Sequence, residues 1–286
     1  MPIHNLGYRE WHGELQSPSS RWLVVSRIGI RSAWQSAWLR RMMFFAWVPG
    51  LVMGFMIFVY EQSAKQGGEV QDVMSAGAMA LATNESPDII FRRIQQERLL
   101  TGERPGLGEE RHLFWSSLLL VLFRRSQPFL LIPIVAVIAP PMISQDFRSR
   151  AFLLYFSRPL TKVQYIIGKA ATVGLFLLSV TMLPALLLYF TGILLSPDIS
   201  VLYFTWDLPL RAILASLTIV IPCTALALML SSLTTESRYA SFSWFAIWIF
   251  GHLTYVVIRN VASPGDSSIV QSLSLFETFN DLSSWI

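Results

Sequence analysis

Charged side chains are scarce, with Asp, Glu, Lys and Arg making up 14% of the residues against roughly a quarter in soluble domains. A deficit of that size excludes a water-solvated surface over most of the molecule. Cysteine is scarcer still: Cys223 stands alone beside Pro222, which excludes an intrachain disulfide framework and reads as a small core residue. The histidines are four, His4, His12, His112 and His252, and they show no metal-ligand spacing. A metal site is therefore not expected, and His252 reads as a hydrogen-bonded or interface residue. No phosphate-binding loop is present, because the one Gly-Lys pair, Gly168-Lys169, is followed by Ala170 and has Val163 where the leading glycine would stand. The chain is thus not expected to hydrolyse nucleotide by itself, and no residue is expected to be catalytic or to bind a cofactor.

What is abundant is apolar. Hydrophobic residues make up 53% of the chain, and since roughly 20 apolar residues cross the hydrocarbon of a bilayer, charge-free runs mark the spans. Five runs qualify: Met42 to Tyr60, Ser126 to Gln145, Ala170 to Pro197, Ala212 to Thr235 and Tyr239 to Ile258. The first lies too far in, and lacks the small-residue cleavage site, to be a secretory signal. The expected fold is therefore all-α, a polytopic transmembrane helical bundle with residues 42–258 as the transmembrane domain.

Lys and Arg set its orientation. With the N-terminus cytoplasmic, the inside receives Arg9, Arg21, Arg27, Arg31, Arg40, Arg41, Arg148, Arg150, Arg158, Lys162, Lys169 and Arg238, and only the acids Glu10, Glu14, Asp146 and Glu236. The net charge of +4 is accounted for by this topology, and no nucleic-acid motif accompanies it. Residues 1–41 form a cytoplasmic lead whose second part, Arg21 to Arg40, reads as one amphipathic helix. Arg21, Arg27 and Arg31 face headgroups, and Trp34 and Trp38 sit at the interface. Residues 61–111 carry nine acids and six bases and read as a solvated outer loop with short helices, for example around 89–98. His112 to Phe123 is apolar but stops at Arg124-Arg125, so it either lies along the outer interface or extends the second span. Pro140-Pro141 disrupt the inner end of that span. At the C-terminus, residues 259–286 hold an amphipathic helix with Val270, Leu273, Phe276, Phe279, Leu282 and Ile286 on one face.

Acids are missing from all five runs. Ion-driven carriers usually embed a carboxylate near the midplane, so energy for transport must enter elsewhere. The one place shaped for that is the loop 144–169, which joins two spans without a linker. Its run Ile143-Ser-Gln-Asp-Phe-Arg-Ser-Arg-Ala-Phe-Leu-Leu-Tyr-Phe-Ser-Arg-Pro-Leu-Thr-Lys-Val-Gln-Tyr-Ile-Ile-Gly-Lys169 resembles the signature of ABC-2 type transporter permeases. The shared marks are an acidic residue after the second span, a Ser-Arg-Pro segment and a Gly-Lys pair opening the third. The resemblance also takes in the basic helix before the first span and the span spacing.

It implies a membrane subunit of an ATP-driven ABC transporter, an exporter, in the bacterial inner membrane. Two copies of a separate ATPase subunit would bind ATP and dock on the loop, and a second permease copy or paralogue would complete the pathway. Asp146, Arg148, Arg150, Phe152, Phe156, Arg158, Pro159 and Lys162 are the implied coupling residues: an apolar face with flanking charges suits a groove on a partner. Family members usually have six spans, whereas five are expected here, with either an outer C-terminus or a last span beyond Ile286. The alternative from another class is a non-transporting membrane scaffold that recruits a cytoplasmic partner through the same loop.

Overall fold

The computed structural model describes residues 20–63, 69–83, 85–101, 107–151, 153, 160–197, 200–261, 274–275 and 277–278, and among them helix is the only regular structure. Five helical stretches are long and apolar enough to cross a membrane: Ala37–Ser63, Gly108–Arg148, Lys162–Leu195, Val201–Ser232 and Ser237–Ile258. Each coincides with one of the five expected runs.

The expected single helix from Arg21 to Arg40 is two. Helix α1, Arg21–Trp34, ends at Gln35, and α2, Ala37–Ser63, starts afresh. Short polar contacts make the break. Ser36 Oγ accepts from the Leu39 amide at 3.3 Å, as an N-cap does, while Arg40 Nη1 donates to the carbonyls of Trp34 and Gln35 at 2.8 and 3.2 Å. Helix α1 then packs along α8, Lys162–Leu195. A Cβ added to Gly168 would stand 2.7 Å from Val25 Cβ and one added to Gly29 would stand 2.6 Å from Thr172 Oγ1, so glycine is required at both crossing points. Trp34 stacks on Phe176 further along, and Thr172 Oγ1 donates to the Ser26 carbonyl. Arg27, Arg31, Leu23 and Ile28 remain exposed on the other side of α1. Trp38 belongs to α2 and is exposed as well.

Within residues 61–111 two helices are described, α3, Glu69–Thr83, and α4, Pro87–Thr101; α4 takes in the short helix expected at 89–98, and α3 packs on α5, Leu107–Val121. The reason is composition: Ala76, Ala78, Ala80 and Ala82 are all buried, and such small side chains let α3 lie close against its neighbours. At the end of α2, Tyr60 stacks on Phe114 of α5 with ring centroids 4.1 Å apart. Beside it Arg111 clamps Glu61 through two bonds of 3.1 and 3.0 Å, both side chains at most 6% exposed.

The apolar stretch His112 to Phe123 extends the second span. Helix α5 passes through a widened turn at Leu122–Ser126 into α6, Gln127–Ile138, and then α7, Pro140–Arg148. The 41 residues from Gly108 to Arg148 would reach about 60 Å if straight, twice the roughly 30 Å of hydrocarbon. The widened turn, Pro133 and the break at Ala139 bend the path.

Arg124 and Arg125, which end the apolar run in sequence, lie in that turn and donate to the Ala82 and Leu81 carbonyls at 2.8 and 3.1 Å, capping the C-terminus of α3. Beyond α8 come α9, Val201–Thr205, α10, Asp207–Ser232, and α11, Ser237–Val261. The expected C-terminal helix lies largely outside the described residues; Ser274 there is buried, and its carbonyl accepts from the Thr278 amide.

Candidate functional site

At the end of the bundle that carries α1, the loop between the second and third spans is fixed at its root by a buried ionic knot. Asp146, in the last turn of α7, holds Lys169 Nζ at 2.7 Å and accepts from the Tyr165 hydroxyl at 2.7 Å. Lys169 also sits 5.5 Å from the Tyr165 ring centroid. Tyr165 and Lys169 are four residues apart and so share one face of α8. Their side chains are brought in because Thr161 starts α8 with a capping box, accepting from the Gln164 amide while the Gln164 side chain accepts from the Thr161 amide. With 10% exposure for Lys169 and 15% for Asp146, the pair is an internal strut.

The two prolines that open α7 remove two amide donors, and side chains from other helices satisfy what is left open. The Ala136 carbonyl, whose helical partner would be residue 140, accepts from Ser241 Oγ at 3.0 Å instead. At the start of α7, Ser231 of α10 acts as an N-cap supplied by another helix. Its Oγ accepts from the Ile143 and Ser144 amides at 3.1 and 3.2 Å and donates to the Pro140 carbonyl at 2.6 Å. Both hydroxyl functions are used, and Ser231 is fully buried.

Around this fixed root the surface is basic and apolar. Arg148 reaches Glu236, between α10 and α11, at 2.9 Å with its side chain 67% exposed. Arg150 is exposed and turns the chain with φ 53°, an unusual backbone for arginine at a helix end. Leu153, Lys162 and Val163 are exposed nearby. Of the implied coupling residues, Asp146, Arg148, Arg150 and Lys162 are thus placed at one end of the bundle, the first internal and the others outward. Phe152, Phe156, Arg158 and Pro159 lie outside the described residues.

Sequence reasoning missed Ser231, Tyr165 and Glu236. The four-residue spacing of Tyr165 and Lys169 was a usable signal, whereas nothing local marks a serine that caps a helix 88 residues away from it.

The profile of one family, described as ABC-2 family transporter protein, matches residues 29–280. The chain belongs to the ABC-2 transporter family. No curated protein and no solved structure matches it. As an ABC-2 permease it is an integral membrane protein, the transport component of an ABC transporter and a partner of an ABC ATPase subunit. The matched residues take in α2 through α11 and the loop 144–169, so the knot at Asp146 and the cap at Ser231 belong to the permease itself.

Proposed function

We propose that this permease exports its substrate across the bacterial cytoplasmic membrane with its N-terminus inside, and that two ATPase subunits drive it through the 144–162 loop. A second copy or a paralogue would supply the other half of the pathway. The observation that carries the reading is the contrast at the loop. Its root is locked by Asp146, Lys169 and Tyr165, while Arg148, Arg150 and Lys162 point outward beside exposed Leu153. A surface of that kind takes up a partner's push, and its rigid root passes the push to α7 and α8. The acid-poor spans support an external energy source.

The test is charge reversal at Arg158 and Arg150. Arg158→Glu and Arg150→Glu are expected to insert normally yet to lose transport-linked ATPase activity and nucleotide-dependent co-purification of the ATPase subunit. Unchanged coupling in both variants would sink the assignment.

A further inference from the structure

We infer that α4, the widened turn and the tip of the α3–α4 hairpin line a water-filled vestibule that enters the bilayer from the side opposite α1, reaches about half its depth and admits anionic solutes. Depth is the first step. Near one end of α8, a Cβ on Gly192 would stand 2.7 Å from the Trp115 ring, and further along the Gln127 side chain donates to the Thr181 carbonyl at 3.0 Å. The intervening residues span about 17 Å on either helix. Thr181 itself lies about 18 Å from Lys169 and about 21 Å from Leu195 along α8, so Gln127 is close to the middle of the span. Arg124 and Arg125 are one turn from it, and the carbonyls of Leu81 and Ala82 are held by them. The hairpin tip is therefore at mid-depth, and α4 climbs about 22 Å from there.

Polarity is the second step. At this depth α8 turns Leu183, Leu187 and Phe190 outward, as a lipid-facing helix does. Outward on α4 are Asp88, Arg92, Arg93, Gln95 and Gln96, with Pro87 and Ile89 the apolar members of the exposed set, while its Ile90 is buried in one cluster with Ala76 and Ala80 of α3. Charges and amides cannot lie against hydrocarbon without water or a polar partner. The same surface adds Thr83, Ser86 and Arg125, all exposed. Sign is the third step. Among the side chains described on this surface, Arg92, Arg93, Arg124 and Arg125 outnumber Glu85 and Asp88, and Arg93 pairs with Glu85 at 3.3 Å. A cleft with low-dielectric walls and a basic excess concentrates anions.

The vestibule is inferred from the depth and polarity of these exposed residues; that its anionic solute is the cargo rests on the permease reading. Since Cys223 is the sole cysteine, a Cys223→Ser background permits thiol labelling in intact membranes without any ATPase. Thr83→Cys, Ser86→Cys and, as depth-matched control, Leu183→Cys would be treated from the side opposite α1 with impermeant methanethiosulfonates, one anionic (sulfonatoethyl) and one cationic (trimethylammonioethyl). Rates would be taken relative to a small thiol in solution. Thr83→Cys and Ser86→Cys are expected to react about a hundredfold faster than Leu183→Cys, the order of the partition penalty for charge in hydrocarbon. The anionic reagent should be favoured several-fold, and Arg125→Gln should shrink that preference. Equal slowness at all three positions would overturn the vestibule, and a preference for the cationic reagent would overturn the anionic assignment. The Thr83 and Ser86 variants leave every arginine in place, so both outcomes can be read even if Arg125→Gln misfolds.

Discussion

Lys169 and Asp146 are each other's main polar partner in a nearly buried setting, with Tyr165 as the third member. Removing one member leaves a buried charge uncompensated, which costs on the order of 3–5 kcal/mol, whereas removing both charges is often close to neutral. Lys169→Met is therefore expected to lower the thermal midpoint of the detergent-solubilised protein sharply, and the Asp146→Asn/Lys169→Met double variant to recover most of the loss. The comparison is Glu236→Gln. Its bond to Arg148 is open to solvent, with 67% and 30% exposure, and such pairs contribute about 0–1 kcal/mol. A thermal midpoint for Lys169→Met that matches Glu236→Gln would show that the knot is solvated and not a strut.

At the scale of elements, α7 is a helix of nine residues that begins with two prolines, too short to hold itself without a cap. Ser231 supplies the cap, so Ser231→Ala is expected to cost about 1–3 kcal/mol by removing the side-chain acceptor of the buried Ile143 and Ser144 amides, while the Pro140 carbonyl keeps the Ser144 hydroxyl at 2.6 Å. Amide hydrogen exchange at Ile143 and Ser144 should rise with it, while exchange in α8 stays unchanged. Slow exchange at both amides in the variant would refute the cap.

The same element shows where the sequence was legible. Charge-free runs placed five spans because burying charge in a bilayer is costly, and Pro140-Pro141 placed the break because proline lacks a donor. The hairpin of α3 and α4 was legible in part: a short helix at 89–98 was expected and lies within α4, whereas α3, at 15 residues too short to register as a span, and its packing on α5 left no local mark. Arg124-Arg125 look like a boundary until the carbonyls they cap, 42 and 44 residues away, are seen. The candidate site was half legible for the same reason. A basic loop can be read locally, but the Ser231 cap spans nearly ninety residues and the pairing of Asp146 with Lys169 depends on how α7 meets α8.

In the whole molecule, α10 touches the second span near both its ends. Asp207 meets His112 Nε2 at 3.1 Å and Ser231 meets α7. Between these ties lie the widened turn, Pro133 and the break before Pro140. The expected result, measured with paired spin labels on the assembled transporter, is a Thr83 to Leu183 distance that changes between nucleotide states while a Ser116 to Arg211 distance holds. The reverse pattern would refute it.

The cap at Ser231 then has a mechanical meaning. The second span is a bow strung on α10, tied at His112 and at Ile143, and a bow pushed at one tip flexes in its belly. Under the proposed coupling, a push on the loop beyond α7 would be delivered to mid-span, where Arg124 and Arg125 hold the C-terminus of α3.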